Sequence, residues 1–168
     1  MRRLTTLAAA LCLVAPVVAA PGQTAAAQNT INVTWKCAPP NPMNSLPVAD
    51  KPNHAYAIDQ ATCTTTKGEI GGVKEKDGSA TEFMEVTGNT SKGHGIFVET
   101  LTNGDKIFYS YTLTGTTNNN VFQSGGNSWT ITGGTGKFKG ITGKGTCKGK
   151  GNPDGSADFD CTGTYAIK

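Results

Sequence analysis

The sequence contains little charge of either sign and almost no arginine. Only 16% of its 168 residues are charged, and its two arginines, Arg2 and Arg3, lie at the start of the chain. Residues 28–168 hold 13 lysines against 12 acidic residues, which leaves a net charge of about +1. Proteins that bind the phosphate backbone of nucleic acids carry clustered positive charge. The balance therefore argues against nucleic acid as the natural partner.

Long apolar runs are missing after the first residues, and no segment shows the apolar spacing of an amphipathic helix. The one apolar run, residues 4–20, follows a short basic start and leads into small residues that end at Ala27. This order is typical of a secretory signal peptide with an A-x-A cleavage site. We expect cleavage after Ala27, which leaves residues 28–168 as one domain with no membrane span. A retained membrane anchor is the alternative, but the run is short for it and Pro16 interrupts it.

Cysteine is scarce but even in number beyond the predicted signal peptide. Cys12 lies within that peptide, and four cysteines remain: Cys37, Cys63, Cys147 and Cys161. An even number in an exported chain predicts two disulfides and a secreted or periplasmic location, and four cysteines allow three pairings. A metal site or a catalytic thiol is the weaker alternative, because the sequence has no Cys-x-x-Cys and only His54 and His94 could assist.

The segment between Cys147 and Cys161 predicts how the cysteines pair. Pro-Asp-Gly at 153–155 is the sequence of a type I turn followed by a left-handed glycine. The three-residue loop that results places Cys147 directly across an antiparallel hairpin from Cys161, within bridging distance. Cys37 and Cys63 then form the second disulfide.

Alternating apolar and polar residues predict strands. Residues 157–167 alternate strictly, with Phe159, Cys161 and Tyr165 on one face. Coarser patterns predict further strands at 31–37, 55–64, 69–73, 80–87, 127–132 and 137–148. The 22 glycines suit tight turns and sharply bent strands. About eight short antiparallel strands predict an all-β barrel or sandwich.

A hairpin around Asn-Gly at 103–104 is predicted to present an apolar face. Asn-Gly is a two-residue type I′ turn signal, and it pairs Thr102 with Asp105. One face then carries His94, Ile96, Val98, Thr100, Ile107, Tyr109, Tyr111 and Leu113. The other face carries Gly95, Phe97, Glu99, Leu101, Lys106, Phe108, Ser110 and Thr112. The first face is the more apolar, so we expect it to point inward and Glu99 to be solvated.

Prolines concentrate in one segment, residues 38–53. It holds five of the eight: Pro39, Pro40, Pro42, Pro47 and Pro52. Such a run cannot be a central strand. It lies inside the loop that Cys37 and Cys63 close, where it is either a lid over a barrel mouth or, the interpretation we favour, a passive tethered excursion.

The segment Thr130–Gly143, with the sequence TITGGTGKFKGITG, resembles a motif of the allene oxide cyclase and dirigent barrels, and it is most similar to their bacterial barrel-like relatives. The resemblance extends from about residue 82 to residue 167 and includes the turn at 103–105. It implies a single calycin-like antiparallel barrel of eight strands with a central cavity. It assigns no catalytic residue. From the residues themselves, we expect Phe138 to plug the barrel end and Trp129 and Ile131 to face one side.

Six side chains are predicted to line the cavity and bind a ligand: His94, Ile96, Val98, Tyr109, Tyr111 and Trp129. An eight-stranded barrel is just wide enough to hold one small ligand. Aromatic and aliphatic walls with a few polar groups suit a small apolar or amphipathic molecule. No catalytic triad, carboxylate pair, metal site or cofactor motif is recognisable, and the oligomeric state is left open.

Three classes of function remain open at this point. The first is a binding module, and the second is a cyclase or isomerase that confines a lipid-like substrate, with His94 as a candidate acid or base. The third is a structural envelope protein with a filled interior, for which outward Phe97 and Phe108 would be interface residues. A cavity above about 300 Å³ favours the first two.

Overall fold

The computed structural model describes residues 28–118 and 121–167, so the predicted signal peptide, residues 1–27, lies outside the described residues. Across the described ranges the chain forms β-strands and a single turn of 3₁₀ helix, Gly136–Phe138. The strands are β1 (Asn29–Cys37), β2 (Met43–Pro47), β3 (His54–Lys67), β4 (Glu69–Ile70), β5 (Val73–Thr87), β6 (Thr90–Leu101), β7 (Lys106–Asn118), β8 (Val121–Gly134), β9 (Thr142–Gly151) and β10 (Ala157–Ala166). No helix in these ranges has the length and apolarity needed to cross a bilayer.

Eight of the strands close into an antiparallel barrel. Their order is β3-β1-β10-β9-β8-β7-β6-β5, and β3 pairs with β5 to complete the circle. The two shortest strands are additions to this wall, because β2 pairs with β3 beyond the end of β1 and β4 pairs with the first residues of β5. The predicted all-β barrel of eight antiparallel strands is confirmed.

One end of the barrel is closed by Phe138. The 3₁₀ turn that carries it begins at Gly136, which adopts a φ of 51° that favours glycine. Phe138 is completely buried, as predicted for a plug. Ile70, Leu101, Ile107 and Ile141 are also at most 2% exposed, and they fill this end with apolar side chains.

Two disulfides cross-link the barrel wall, and both pairings were predicted. Cys147 of β9 lies directly opposite Cys161 of β10, with their Cα atoms 4.0 Å apart. The loop between them has the expected left-handed glycine, Gly155, with a φ of 81°. Cys37 of β1 lies opposite Cys63 of β3, with a Cα–Cα distance of 3.9 Å. The turn residues at 153–155 therefore predicted the register of β9 against β10 and with it the Cys147–Cys161 disulfide. The Cys37–Cys63 disulfide followed because only those two cysteines remained.

The hairpin of β6 and β7 has a register one residue away from the prediction. The Leu101 amide donates to the Asp105 carbonyl at 2.9 Å, so the loop holds three residues rather than two. Gly104 takes the left-handed position, with a φ of 87°. The Asn103 side chain accepts from the Asp105 amide and donates to its carboxylate, which stabilises this loop over a type I′ turn. His94 consequently pairs with Thr112.

A shift of one residue turns every side chain of a strand to the other face of the sheet. On β7 the predicted inward face is correct, and Tyr109 and Tyr111 are each 8% exposed. On β6 the prediction was wrong. Phe97 and Glu99 point into the barrel, whereas its outer face carries His94, Ile96 and Val98. Phe97 packs edge to face against Trp35, with ring centroids 5.0 Å apart.

The proline-rich segment 38–53 forms an edge strand and part of the barrel rim. All five residues of β2 are exposed while the strand pairs with β3, which agrees with the expectation that prolines exclude a central strand. His54, the first residue after the segment, has its ring held between two carboxylates. Nδ1 lies 2.5 Å from Asp50 and Nε2 lies 3.1 Å from Glu85. The proline-rich segment is therefore held against the barrel wall by strand pairing and by the contacts of His54.

Glycines on neighbouring strands make room for the largest rings inside the barrel. A Cβ atom at Gly145 or Gly163 would overlap the indole of Trp129, and one at Gly78 would overlap the ring of Phe97. The absence of a side chain at these positions lets each aromatic ring lie close against the backbone of the neighbouring strands. Several of the abundant glycines thus serve close packing inside strands as well as turns.

Substitution of Gly163 by Ala should therefore destabilise the barrel. The added methyl group would overlap both the Trp129 indole and the Lys144 carbonyl oxygen, and such overpacking typically costs about 1–3 kcal/mol in a packed core. Thermal unfolding and the near-ultraviolet circular dichroism of the tryptophans measure the effect. Gly133→Ala is the control, because a Cβ there meets only Phe108 at an ordinary 3.7 Å. Equal destabilisation by both variants would contradict this account of Trp129.

Candidate functional site

The barrel encloses a cavity of about 420 Å³ that extends from its interior to the rim away from Phe138. Its wall carries large aromatic side chains: Trp35, Phe97, Tyr109, Tyr111, Trp129 and Phe159. The rim is formed by the proline-rich segment, the start of β8 and the turn between β9 and β10, through Pro39, Pro40, Met43, Val121, Phe122 and Gly155. Both disulfides also belong to the wall. The interior is hollow rather than filled.

Four aromatic rings of the cavity wall pack against one another. Phe97 contacts Tyr109 with ring centroids 6.1 Å apart, and Tyr109 meets Trp129 edge to face at 5.6 Å. Edge-to-face pairs of this kind add about 0.5–1.5 kcal/mol beyond the area that they bury. Together with the contact between Phe97 and Trp35, they make one connected aromatic surface.

Three of the six predicted ligand-facing residues line this cavity: Tyr109, Tyr111 and Trp129. The other three lie on the outer wall because of the register of β6. Ile96 is 49% exposed, and the exposed His94 lies against the ring of Phe83 at 5.7 Å. His94 and Ile96 border an open depression on the outside of the barrel. The suggested acid–base role of His94 therefore has no support inside the cavity.

Two carboxyl groups in the cavity wall were not predicted as site residues. Asp59 of β3 lies directly across from Glu82 of β5, and we call them the Asp59–Glu82 pair. The Tyr111 hydroxyl donates to Glu82 Oε1 at 2.6 Å. Asp59 is 3% exposed, and neither of its carboxylate oxygens has a hydrogen-bond partner within the described part of the chain. Strand alternation could have indicated Asp59 from the sequence, because it places Asp59 on the same inward face as Ala57 and Cys63.

The environment of the pair raises the pKa of both carboxyl groups. Burial raises the pKa of Asp59 to about 6, and the neighbouring Glu82 charge acts in the same direction. Burial also raises the pKa of Glu82, while the hydrogen bond from Tyr111 opposes that rise. Burial and the carboxylate beside it raise the pKa of Tyr111, which keeps its proton as a donor. The cavity thus contains a carboxyl group that changes charge near pH 6.

A second acidic pair lies below the cavity, toward the closed end. The Tyr109 hydroxyl donates to Glu99 at 2.6 Å. Glu99 was predicted to be solvated, and this prediction was wrong because its side chain is completely buried. Burial and the charge of Glu99 raise the pKa of Glu75 to about 9. Burial raises the pKa of Glu99 to about 7, against hydrogen bonds from Tyr109 and Glu75. At neutral pH the two carboxyl groups therefore hold a proton between them, and the pair is part of the packed base.

The chemistry available inside the cavity comes from the Asp59–Glu82 pair and Tyr111. A carboxylate accepts hydrogen bonds or pairs with a cation, and a carboxyl that titrates near neutral pH can also exchange a proton. Within residues 28–118 and 121–167, no group of three or more histidine, cysteine, aspartate or glutamate side chains is arranged to hold a metal ion.

Comparison with known proteins finds similarity among solved structures alone. No protein-family model matches the chain. No curated protein matches it either. Among solved structures, the chain is similar to a pterocarpan synthase dirigent protein, with a TM-score of 0.47 and 14% sequence identity over 88% of this chain and 94% of that one. The barrel architecture described above rests on the strand pairing of this chain itself.

Replacing Asp59 by Asn should stabilise the protein in the absence of ligand. The folded-state pKa of about 6 lies above the ordinary value of 3.8. The contribution of Asp59 to the free energy of unfolding is therefore largest at acid pH, and it falls as the pH rises from 3.8 to about 6. We expect Asp59→Asn to gain on the order of 1 kcal/mol at pH 7.5 and nothing near pH 4. Urea unfolding measures both, and a less stable variant at pH 7.5 would contradict this.

The acidic pair at the base should limit stability at alkaline pH. Because the folded-state pKa of Glu75 is raised from 4.5 to about 9, the free energy of unfolding falls as the pH rises across that interval. Glu75→Gln removes the titration and leaves an amide that can donate to Glu99, so it should be the more stable form at pH 9 by on the order of 2 kcal/mol. Melting temperatures from pH 5 to 10 test it, with the exposed Glu69→Gln as control. Parallel curves for all three proteins would argue against this burial effect.

Proposed function

We propose that the protein binds a small apolar or amphipathic molecule inside its barrel. The observation that carries the proposal is the hollow interior of about 420 Å³. That volume falls within the roughly 300–1,000 Å³ typical of small-molecule sites. A structural envelope protein with a filled barrel would have no use for such a space, so the cavity favours a ligand over that alternative.

The wall of the cavity is suited to a preformed site. The Cys37–Cys63 and Cys147–Cys161 disulfides both face the cavity, and the aromatic rings beside them pack against one another. A site that is already ordered before binding loses less conformational entropy when the ligand enters. The same disulfides support an exported protein, secreted or periplasmic, since they form and persist in oxidising compartments. Cleavage of residues 1–27 as a signal peptide remains part of this proposal.

A neutral fluorescent probe such as N-phenylnaphthylamine tests the binding function directly. We expect saturable binding at one site per chain, with energy transfer from the tryptophans of the wall to the probe. Ala61 lines the cavity, so Ala61→Phe should reduce the space and weaken binding about tenfold or more. Gln60, the next residue on β3, is exposed on the outer face, and Gln60→Phe should leave the affinity unchanged. Absence of saturable binding, or equal loss in both variants, would refute the proposal.

The natural ligand can be sought without choosing a probe. Native mass spectrometry of the protein purified from its own periplasm or medium should show an additional mass that organic solvent removes. Ala61→Phe prepared in the same way should carry less of it. The mass of the molecule that is present in the wild type and reduced in the variant would then identify the ligand.

A cyclase or isomerase is the second candidate, and the Asp59–Glu82 pair beside Tyr111 is the observation that favours it. A carboxyl with a pKa of about 6 inside an apolar cavity is suited to donate and accept a proton from a confined substrate. Once a bound molecule is known, Glu82→Gln separates the two functions. Loss of turnover with retained binding indicates an enzyme, whereas unchanged ligand recovered from the wild type indicates a binding protein.

A further inference from the structure

We propose that the cavity selects a ligand with a protonated amine, which binds to the Asp59–Glu82 pair while its apolar body lies among the aromatic side chains. This inference rests on the proposed binding function and specifies the charge of the ligand. It makes the pair the polar end of the site and the ring cluster of Trp35, Phe97, Tyr109 and Trp129 its apolar end.

The charge of the cavity wall supports a cation. Among the described residues that line it there are two carboxyl groups and no lysine, arginine or histidine. A carboxylate ligand would approach two like charges with no compensating group, and like charges brought together in a poorly solvated site repel strongly. An ammonium group supplies the charge that the wall lacks.

The hydrogen bonding of the wall points the same way. Tyr111 gives its single hydroxyl proton to Glu82, and both oxygens of Asp59 are left without a donor. A buried carboxylate without partners is unfavourable, and a cationic donor offsets that penalty by charge-assisted hydrogen bonds. An ammonium carries three N–H donors, enough to reach both members of the pair. A neutral hydroxyl offers only one.

The position of the pair along the strands sets the orientation of the ligand. Along β3 and β5 the pair is followed toward the closed end by Ala61 opposite Ala80, and Ala80 in turn pairs with Phe97 of β6. These two small side chains leave space directly between the carboxyl groups and the aromatic rings. The amine would therefore lie nearer the rim and the apolar body deeper, toward Phe97.

Three probes with one apolar body isolate the contribution of charge: naphthylmethylamine, naphthalenemethanol and naphthoate. At pH 7.5 the amine is protonated, the alcohol is neutral and the carboxylate is negative. We expect the amine to bind about tenfold or more tighter than the alcohol, as a charge-assisted hydrogen bond predicts, and the carboxylate to bind weakest. Isothermal titration calorimetry or quenching of tryptophan fluorescence gives the three dissociation constants.

Asp59→Asn is the decisive variant, and its fold should be intact because the substitution removes a buried charge. It should abolish the preference for the amine, so that the ratio of the alcohol and amine dissociation constants falls from about tenfold to about one. Asp160→Asn, which changes an exposed carboxylate on the outer face of β10, is the matched control and should keep the preference. A preference that survives in Asp59→Asn would overturn the role of the pair.

The failure of this inference and that of the proposed function are distinguishable. If the amine and the alcohol bind the wild type equally, the cavity binds ligands but does not select a cation, and the inference is wrong. If none of the three probes nor N-phenylnaphthylamine binds, the binding function itself is wrong. Circular dichroism of each variant confirms that any loss arises in a folded barrel.

Discussion

Everything in this molecule depends on the closure of one antiparallel sheet in which successive side chains must point alternately inward and outward. Closure leaves each residue of the wall only two environments, the enclosed space or the solvent. The inward set contains rings, alanines, glycines and a few carboxyls. Where rings face glycines the interior is packed, and where alanines face each other beside Asp59 it is open. The cavity is thus a consequence of side-chain volumes at inward positions, with no separate domain or loop required to make it.

The two buried acidic pairs are chemically alike but have different positions in the barrel. Both combine two carboxyl groups with a tyrosine hydroxyl that donates at 2.6 Å. The pair at the base, Glu75 and Glu99, is enclosed by apolar side chains and holds its own proton. The Asp59–Glu82 pair faces the cavity, where both oxygens of Asp59 can accept hydrogen bonds from a molecule inside it. A group that costs stability in the empty protein and faces a cavity is a feature expected of a binding site rather than of a core.

Sequence patterns predicted the features that local chemistry determines. The turn at 153–155 specified its own register, and with it both disulfides, because the left-handed glycine leaves few loop geometries. The hairpin of β6 and β7 was misassigned because Asn-Gly suits two loop lengths, and only the contacts of Asp105 distinguish them. Asp59 was missed for another reason. Its importance arises from Glu82 and Tyr111, which are distant in sequence and meet it only when the sheet closes.

The two disulfides are not spread evenly around the circumference. They connect β1 to β3 and β9 to β10, and β1 is hydrogen-bonded to β10 between them. Half of the wall, β3-β1-β10-β9, is therefore a covalently reinforced shell, and the arc from β5 to β8 is held by hydrogen bonds and packing alone. Because no disulfide crosses the arc from β5 to β8, we expect that arc to open more readily than the other if a ligand enters the proposed site.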